Sequence, residues 1–249
     1  MRPGTRTGKF RLGDERLLVD ANDQSRISVE DFAVAMIDEL ERPAALAAAL
    51  HACLLKKETM TTYHVGYLVG SLAKASINRL LAKALVRLAP PELKLTEISF
   101  KDLPLYSYDY DADYPPVAKA FKQAIADSDA ILFVTPEYNR SIPGGLKNAI
   151  DWASRPWGQN SFARKPSGVI GTSPGSIGTA VAQSHLRGVL CFCNSPLMNN
   201  VEAYIQFKPG LITEDGEVTD ESTEKFLRNY MTEFHAFIVR VLTVLPREK

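Results

Sequence analysis

Residues 130–152 read Ala130-Ile-Leu-Phe-Val-Thr-Pro-Glu-Tyr-Asn-Arg-Ser-Ile-Pro-Gly-Gly-Leu-Lys-Asn-Ala-Ile-Asp-Trp152. The stretch opens on an apolar, β-forming run ending at Thr135, the pattern of a strand covered on both faces in a parallel sheet. A helix is then expected from Gly144 to about Ser154, and Pro143 suits its first turn. From strand into helix the chain carries Pro136, Pro143, Gly144 and Gly145 among polar residues. A stiff loop with little side-chain bulk at the end of a central strand lets a planar heterocycle approach closely and take hydrogen bonds from peptide groups. The plain alternative, a tight strand-to-helix turn, explains less of so distinctive a string.

Working outward, the same alternation repeats on both sides. Tyr63–Gly70 is a mostly apolar run that predicts a first strand, and Ile77, Leu80, Leu81, Ala84, Leu85 and Leu88 form one stripe of a helix that Pro90-Pro91 closes. Leu93–Ile98 predicts a second strand, a Tyr- and Asp-rich loop spans Lys101–Tyr114, and a helix covers about 115–127. Beyond the quoted stretch come a fourth strand at Ser167–Thr172, a helix over about 177–194 and a short fifth strand near Asn200–Tyr204. A last helix presents Phe226, Tyr230, Phe234, Phe237, Ile238, Val241 and Leu242 as a broad apolar stripe. Five strands alternating with five helices predict one doubly wound α/β domain. In such sheets ligands sit outside the carboxyl ends of the strands where the strand order reverses, so the loops after the first, third and fourth strands are where chemistry is sought.

The loop after the first strand is Gly70-Ser-Leu-Ala-Lys-Ala-Ser-Ile-Asn78, opening directly into a helix. A helix start offers unpaired N–H groups, and Ser71, Ser76 and Asn78 add short donors for a phosphate. Neither G-x-G-x-x-G nor G-x-x-x-x-G-K-[ST] is present; from this loop alone, a phosphate cradle and an ordinary helix cap read equally well. After the fourth strand, Gly171-Thr-Ser-Pro-Gly-Ser-Ile-Gly-Thr179 is a third Gly- and Ser-rich loop feeding a helix.

Composition narrows the classes. In 249 residues, 29 basic and 29 acidic side chains cancel, so a nucleic-acid-binding surface would need a local basic patch that the sequence does not show. Cys53, Cys191 and Cys193 are too few and odd in number for a disulfide framework and fit a reducing compartment. No apolar run approaches the ~18 residues of a spanning helix, and the first residues lack a secretory h-region. The expectation is a cytoplasmic protein with no membrane or nucleic-acid partner. No metal is expected: His64, His185 and His235 stand alone, and Asp109, Asp111 and Asp113 lack the Gly and Glu of a calcium loop. Cys191 and Cys193 point to different helix faces and read as packing residues, and Trp152 as core.

The order Gly70-Ser71, Ser76, Asn78, then Thr135-Pro-Glu-Tyr-Asn139 with Ser141 and Pro143–Trp152, then Ser173-Pro-Gly175 with Gly178, resembles the flavodoxin-like NADPH-dependent FMN reductases, bacterial chromate and quinone reductases included. The resemblance runs from about Tyr63 to Val244. It implies a flavodoxin-like five-stranded parallel sheet in the order 2-1-3-4-5. It also implies an FMN phosphate held by Ser71, Ser76 and Asn78. Pro136, Glu137, Tyr138, Asn139 and Ser141 would lie beside the isoalloxazine and ribityl chain, and Ser173, Pro174, Gly175 and Gly178 at the ring edge. One departure stands out: many members carry Arg where this chain has Ala73, and the adjacent Lys74 offers a point charge and not a fork.

By the same resemblance the protein is an NADPH- or NADH-dependent enzyme that passes electrons through FMN to a small-molecule acceptor such as a quinone, chromate, an azo compound or free flavin. No catalytic side chain is expected, because the cofactor's own N5 takes the hydride; Glu137 reads as a general acid or as a carboxylate structuring its own turn. The rival is a flavodoxin-type FMN-binding electron carrier without nicotinamide oxidation, whose acidic docking face a zero net charge does not supply. A flavin-binding regulatory module is a third reading. The family also implies a homodimer or homotetramer.

Residues 1–59 stand apart from the flavin domain expected over 60–249. Val29, Phe32, Ala33, Met36, Ile37 and Leu40 predict one short helix and Ala44–Leu55 a second, too little for a core of their own. Ser25–Leu40 resembles the carboxyl-terminal tail of an atypical short-chain NAD(P)H-binding reductase without its Rossmann body. A fusion remnant or upstream-start artefact on one side, and a working appendage packing on the flavin domain on the other, are both open readings.

Overall fold

A computed structural model of the protein describes residues 61–246. The expectations for residues 1–59 lie outside the described residues. β3, Ala130–Val134, is buried at every position, which makes it the middle of the sheet and explains its unbroken apolar run. β1 (Tyr63–Val69) pairs with it in parallel on one side and β4 (Ser167–Ser173) on the other. β2 (Leu93–Glu97) flanks β1, and β5 (Tyr204–Gln206) flanks β4, so five parallel strands run in the order β2-β1-β3-β4-β5. The flavodoxin-like order is as expected.

The connecting helices are α1 (Ile77–Leu88), α2 (Pro116–Ala126), α3 (Gly144–Ser154), α4 (Ala180–Phe192) and α5 (Glu221–Val244). One core packs α1 and α5 on the sheet through Leu81, Leu85, Tyr230, Phe234 and Ile238. The other packs α2, α3 and α4 through Phe121, Ile125, Leu146, Trp152 and Leu186. Right-handed crossovers require this split between the two faces. Gly168 lets α5 approach: a Cβ there would lie 3.0 Å from the Tyr230 hydroxyl oxygen and 3.1 Å from the Phe234 ring.

Several features differ from the sequence pattern, α4 among them, which runs Ala180–Phe192 within the expected 177–194. β5 lies at Tyr204–Gln206, after the expected Asn200–Tyr204. Its place is fixed by pairing with Gly171–Ser173, by Phe207 N–H donating to Ser173 O at 2.8 Å and by Thr172 Oγ1 donating to Ile205 O at 2.9 Å. The α5 stripe is centred differently, because Leu227 and Met231 are buried while Phe226 and Phe237 are only partly so. Finally, the 101–114 loop contains a 3-10 turn at Tyr108–Ala112 that no apolar period announced.

That loop is fastened to α3. Trp152 Nε1 donates to Pro104 O at 2.7 Å, and the Asn148 amide donates to Pro104 O and accepts from Tyr106 N–H at 2.9 and 2.8 Å. Tyr106, Tyr110 and Tyr114 surround the fully buried Trp152 ring at centroid distances of 5.2, 5.2 and 5.0 Å. Burial and the hydrogen bond to Asp111 push the Tyr106 phenol up to about 12.

Candidate functional site

At the carboxyl end of β1 the chain turns at Gly70, whose N–H donates to Val134 O at 2.8 Å and so joins the first loop to β3. A Cβ at Gly70 would come within 3.0 Å of Thr135 Oγ1 and 3.1 Å of Pro136 Cδ, so glycine lets the first and middle loops pack this closely. Ser71 and Ser76 are both buried. Ser76 occupies the N-cap of α1, yet its hydroxyl makes no capping bond, which frees it for an anion at a helix start that already favours negative charge. Asn78 is turned the other way. Its Nδ2 donates to Thr172 O at 2.9 Å and its Oδ1 accepts from Thr172 N–H at 3.0 Å, tying α1 to β4.

The middle loop folds into a two-residue hairpin. Tyr138 and Ser141 exchange backbone hydrogen bonds of 3.0 and 2.9 Å, with Asn139 and Arg140 between them at φ values of 51° and 60°. Two successive positive φ values are those of a type I′ turn; Asn suits it, and Arg140 is held there against its own preference. Glu137 supplies the hold: its Oε1 accepts from Arg140 Nη1 at 3.0 Å. Ser141 Oγ lies 3.0 Å from Nδ1 of His185 on α4, and the Tyr138 hydroxyl 3.5 Å from Ser71 Oγ.

The third loop leaves β4 through a turn in which Gly175 N–H donates to Ser173 Oγ at 3.0 Å and Gly178 N–H to Gly175 O at 3.0 Å. Gly178 sits at φ +62°, and a Cβ there would be 2.8 Å from the Tyr204 carbonyl carbon, so no other residue fits without displacing β5. Gln206 Nε2 donates to Pro174 O at 3.2 Å. Glu137 reaches across to this segment: its Oε2 accepts from the N–H groups of Val181 and Ala182, each at 3.1 Å. Three donors thus engage both oxygens of the carboxylate, which is the turn-structuring arrangement.

The three loops therefore lie at the carboxyl ends of the adjacent strands β1, β3 and β4, with the first and middle loops meeting at Ser71 and Tyr138. Asn78 links α1 to β4, and Glu137 links the middle loop to α4. The sequence reading passed over His185, Arg140 and Thr172 as partners in this framework. His185 had no signal, standing alone on a helix, whereas Asn139 in a short polar loop is a turn former. Among the described residues, no group of three or more His, Cys, Asp or Glu could hold a metal ion.

The donor set suits FMN. An uncapped helix start with two buried hydroxyl groups matches a phosphate dianion, and the Pro- and Gly-rich loops offer backbone to a flat heterocycle. Residues 63–210 match the family model described as NADPH-dependent FMN reductase. The chain belongs to that family. The reductase is 52% identical over 174 residues to a 2-hydroxy-1,4-benzoquinone reductase of Burkholderia sp, covering 70% of this chain and 95% of that protein. It is 40% identical over 182 residues to a quinone reductase of Escherichia coli strain K12, covering 70% of this chain and 94% of that one. Among solved structures it matches the flavoenzyme FerB, an NAD(P)H:(acceptor) oxidoreductase from Paracoccus denitrificans, at 47% identity and a TM-score of 0.70, covering 72% of this chain and 98% of FerB. The reductase is thus an oxidoreductase that works with FMN and NAD(P)H, and the electron-carrier reading is not favoured.

A separate groove of about 830 Å³ lies between α3 and α4, lined by Lys147, Ile150, Asp151, Trp157, Val189 and Phe192 among others. His185, whose Nδ1 lies 3.0 Å from Ser141 Oγ of the middle loop, is also among its lining residues.

Proposed function

We propose that the reductase carries electrons from NAD(P)H to a small quinone, with chromate, azo compounds and free flavin as further acceptors. The single observation that carries the site assignment is the convergence of three loops on adjacent strands, one an uncapped helix start and two rich in Pro and Gly. The choice of a quinone rests on the relatives, whose names specify benzoquinone and quinone reduction.

In this reading Ser71, Ser76 and the first N–H groups of α1 neutralise the FMN phosphate, and Asn78 acts through its backbone while its side chain braces β4. Pro136, Glu137, Tyr138, Asn139 and Ser141 form one wall for the ring and ribityl chain through their backbone. Ser173, Pro174, Gly175 and Gly178 form the facing edge, where the lack of side-chain bulk leaves room for a second flat molecule. FMN, when bound, supplies the redox chemistry, accepting hydride from the nicotinamide and releasing electrons to the acceptor. The residues bind, orient and shield; none has to donate or accept a proton.

Residues 60–249 are the working domain and residues 1–59 an addition to it. A cytoplasmic location follows from the odd, sparse cysteines; among the described residues no helix is long and apolar enough to cross a membrane. Trp157 and Phe192, 75% and 76% exposed at the α3–α4 groove, support assembly as a homodimer or homotetramer.

The test is a visible spectrum of the FMN-supplemented, desalted protein, followed by anaerobic NADPH and then a benzoquinone. Retained flavin peaks that bleach with NADPH and return with the quinone are expected. Retained but unbleached flavin would sink the enzyme reading in favour of a carrier, and no retained flavin would overturn the site.

A further inference from the structure

We infer that Glu137 is a positioning residue that caps α4 in trans and thereby sets the gap between the middle and third loops; the inference rests on the flavin reading of those loops. Thr179 occupies the N-cap of α4 but makes no side-chain capping bond. Its hydroxyl oxygen instead accepts from Gln183 Nε2 at 2.9 Å. The second and third N–H groups of α4, those of Val181 and Ala182, are the ones an N-cap side chain ordinarily serves. Both are taken by one carboxylate oxygen from a residue more than forty positions upstream, at 3.1 Å each.

The carboxylate is enclosed, with only 7% of its side chain exposed. A negative charge aimed at a helix start gains from the partial positive charge there, and hydrogen bonds to it are stronger than neutral ones. Its other oxygen holds Arg140 in the positive-φ turn of the middle loop. One side chain therefore fixes the turn at 138–141 and the helix that emerges from the turn at 173–179. The separation of the two walls is set by a rigid link before any cofactor arrives, which is pre-organisation in the sense that raises affinity without adding a contact.

The experiment compares the full-length protein with Glu137→Ala, Glu137→Gln and Lys122→Met. Lys122 Nζ donates to Ala153 O at 2.9 Å and Gln159 O at 2.8 Å at the far end of α3, so its loss costs stability away from the loops. In the apo protein, amide hydrogen exchange at Val181 and Ala182 is expected to quicken about tenfold or more in Glu137→Ala. The FMN dissociation constant, from quenching of flavin fluorescence, should rise about tenfold. Glu137→Gln, which keeps an oxygen to accept from both N–H groups, should restore most of the protection and affinity. Lys122→Met should lower Tm and leave FMN affinity unchanged.

Unchanged exchange at 181 and 182 in Glu137→Ala would overturn the cap. Quickened exchange with wild-type FMN affinity would overturn its role in the gap, as would an equal loss of affinity in Lys122→Met. A wild-type protein that fails to bind FMN would overturn the flavin reading instead, and the exchange measurement would still decide the cap.

Discussion

Asn78, on α1, pairs with both backbone groups of one β4 residue, Thr172, and almost none of it reaches solvent. Thr172, the recipient, lies near the end of β4, where the sheet stops and the third loop begins. Removing a buried partner costs more than the bond itself is worth, because the groups left behind keep their desolvation penalty. Asn78→Ala should therefore lose about 2–4 kcal/mol in urea unfolding. Asn78→Asp should be no better, since it sets a buried charge against the Thr172 carbonyl. A loss below about 0.5 kcal/mol for Asn78→Ala would mean that water repairs the gap. The sequence put Asn78 at the end of the loop, whereas it stands in the first turn of α1, and the direction of its amide was illegible because the partner is 94 residues away. At the exposed neighbour Ala73 the opposite change is informative. Ala73→Arg adds a guanidinium beside Ser71 and the start of α1, and should tighten FMN binding at low salt with the gain fading as ionic strength rises. Salt-independent affinity would place the phosphate elsewhere.

At the scale of elements, α5 shows how local chemistry fixes a boundary. Asp220 caps it, with Oδ2 accepting from Thr223 N–H at 2.8 Å, Thr223 Oγ1 at 2.7 Å and Ser222 Oγ at 2.6 Å. These bonds hold the Asp220 carboxyl at about 2, below its ordinary value. A carboxyl lowered by folding gives stability that is complete above its unfolded value near 4 and is lost as pH falls through 2. Asp220→Asn, which keeps an acceptor but cannot titrate, should show a shallower loss of stability between pH 4 and pH 2 in urea unfolding; parallel curves would show that other carboxylates dominate the acid limb. Strands one to four and the starts of α1, α2 and α3 were legible because buried apolar runs, prolines and glycines leave local marks. β5 was displaced because three residues carry no period and its register is set by Gly171–Ser173. The α4 cap was illegible for the same reason: its acceptor lies in a different loop.

For the whole molecule, the question is what residues 1–60 add. Relatives aligned over 94–95% of their own length need only about 70% of this chain. The structural match to FerB likewise covers 98% of that protein with 72% of this one. Both faces of the sheet are covered by helices from residues 77–244, which supply the two cores. A protein beginning at Thr61 should therefore fold cooperatively, retain FMN and reduce quinone at the full-length rate, with Tm within about 3 °C of the full chain. Calorimetry on both forms, with FMN titration and turnover alongside, decides between the two readings of the segment. Equal values make residues 1–60 dispensable to the reductase, as a fusion remnant would be. A Tm lowered by ten degrees or so, equivalent to about 3 kcal/mol at this size, would make the segment a working appendage. Weaker FMN binding at unchanged Tm would place its action at the flavin loops themselves, since a segment that only covered apolar surface would change stability first.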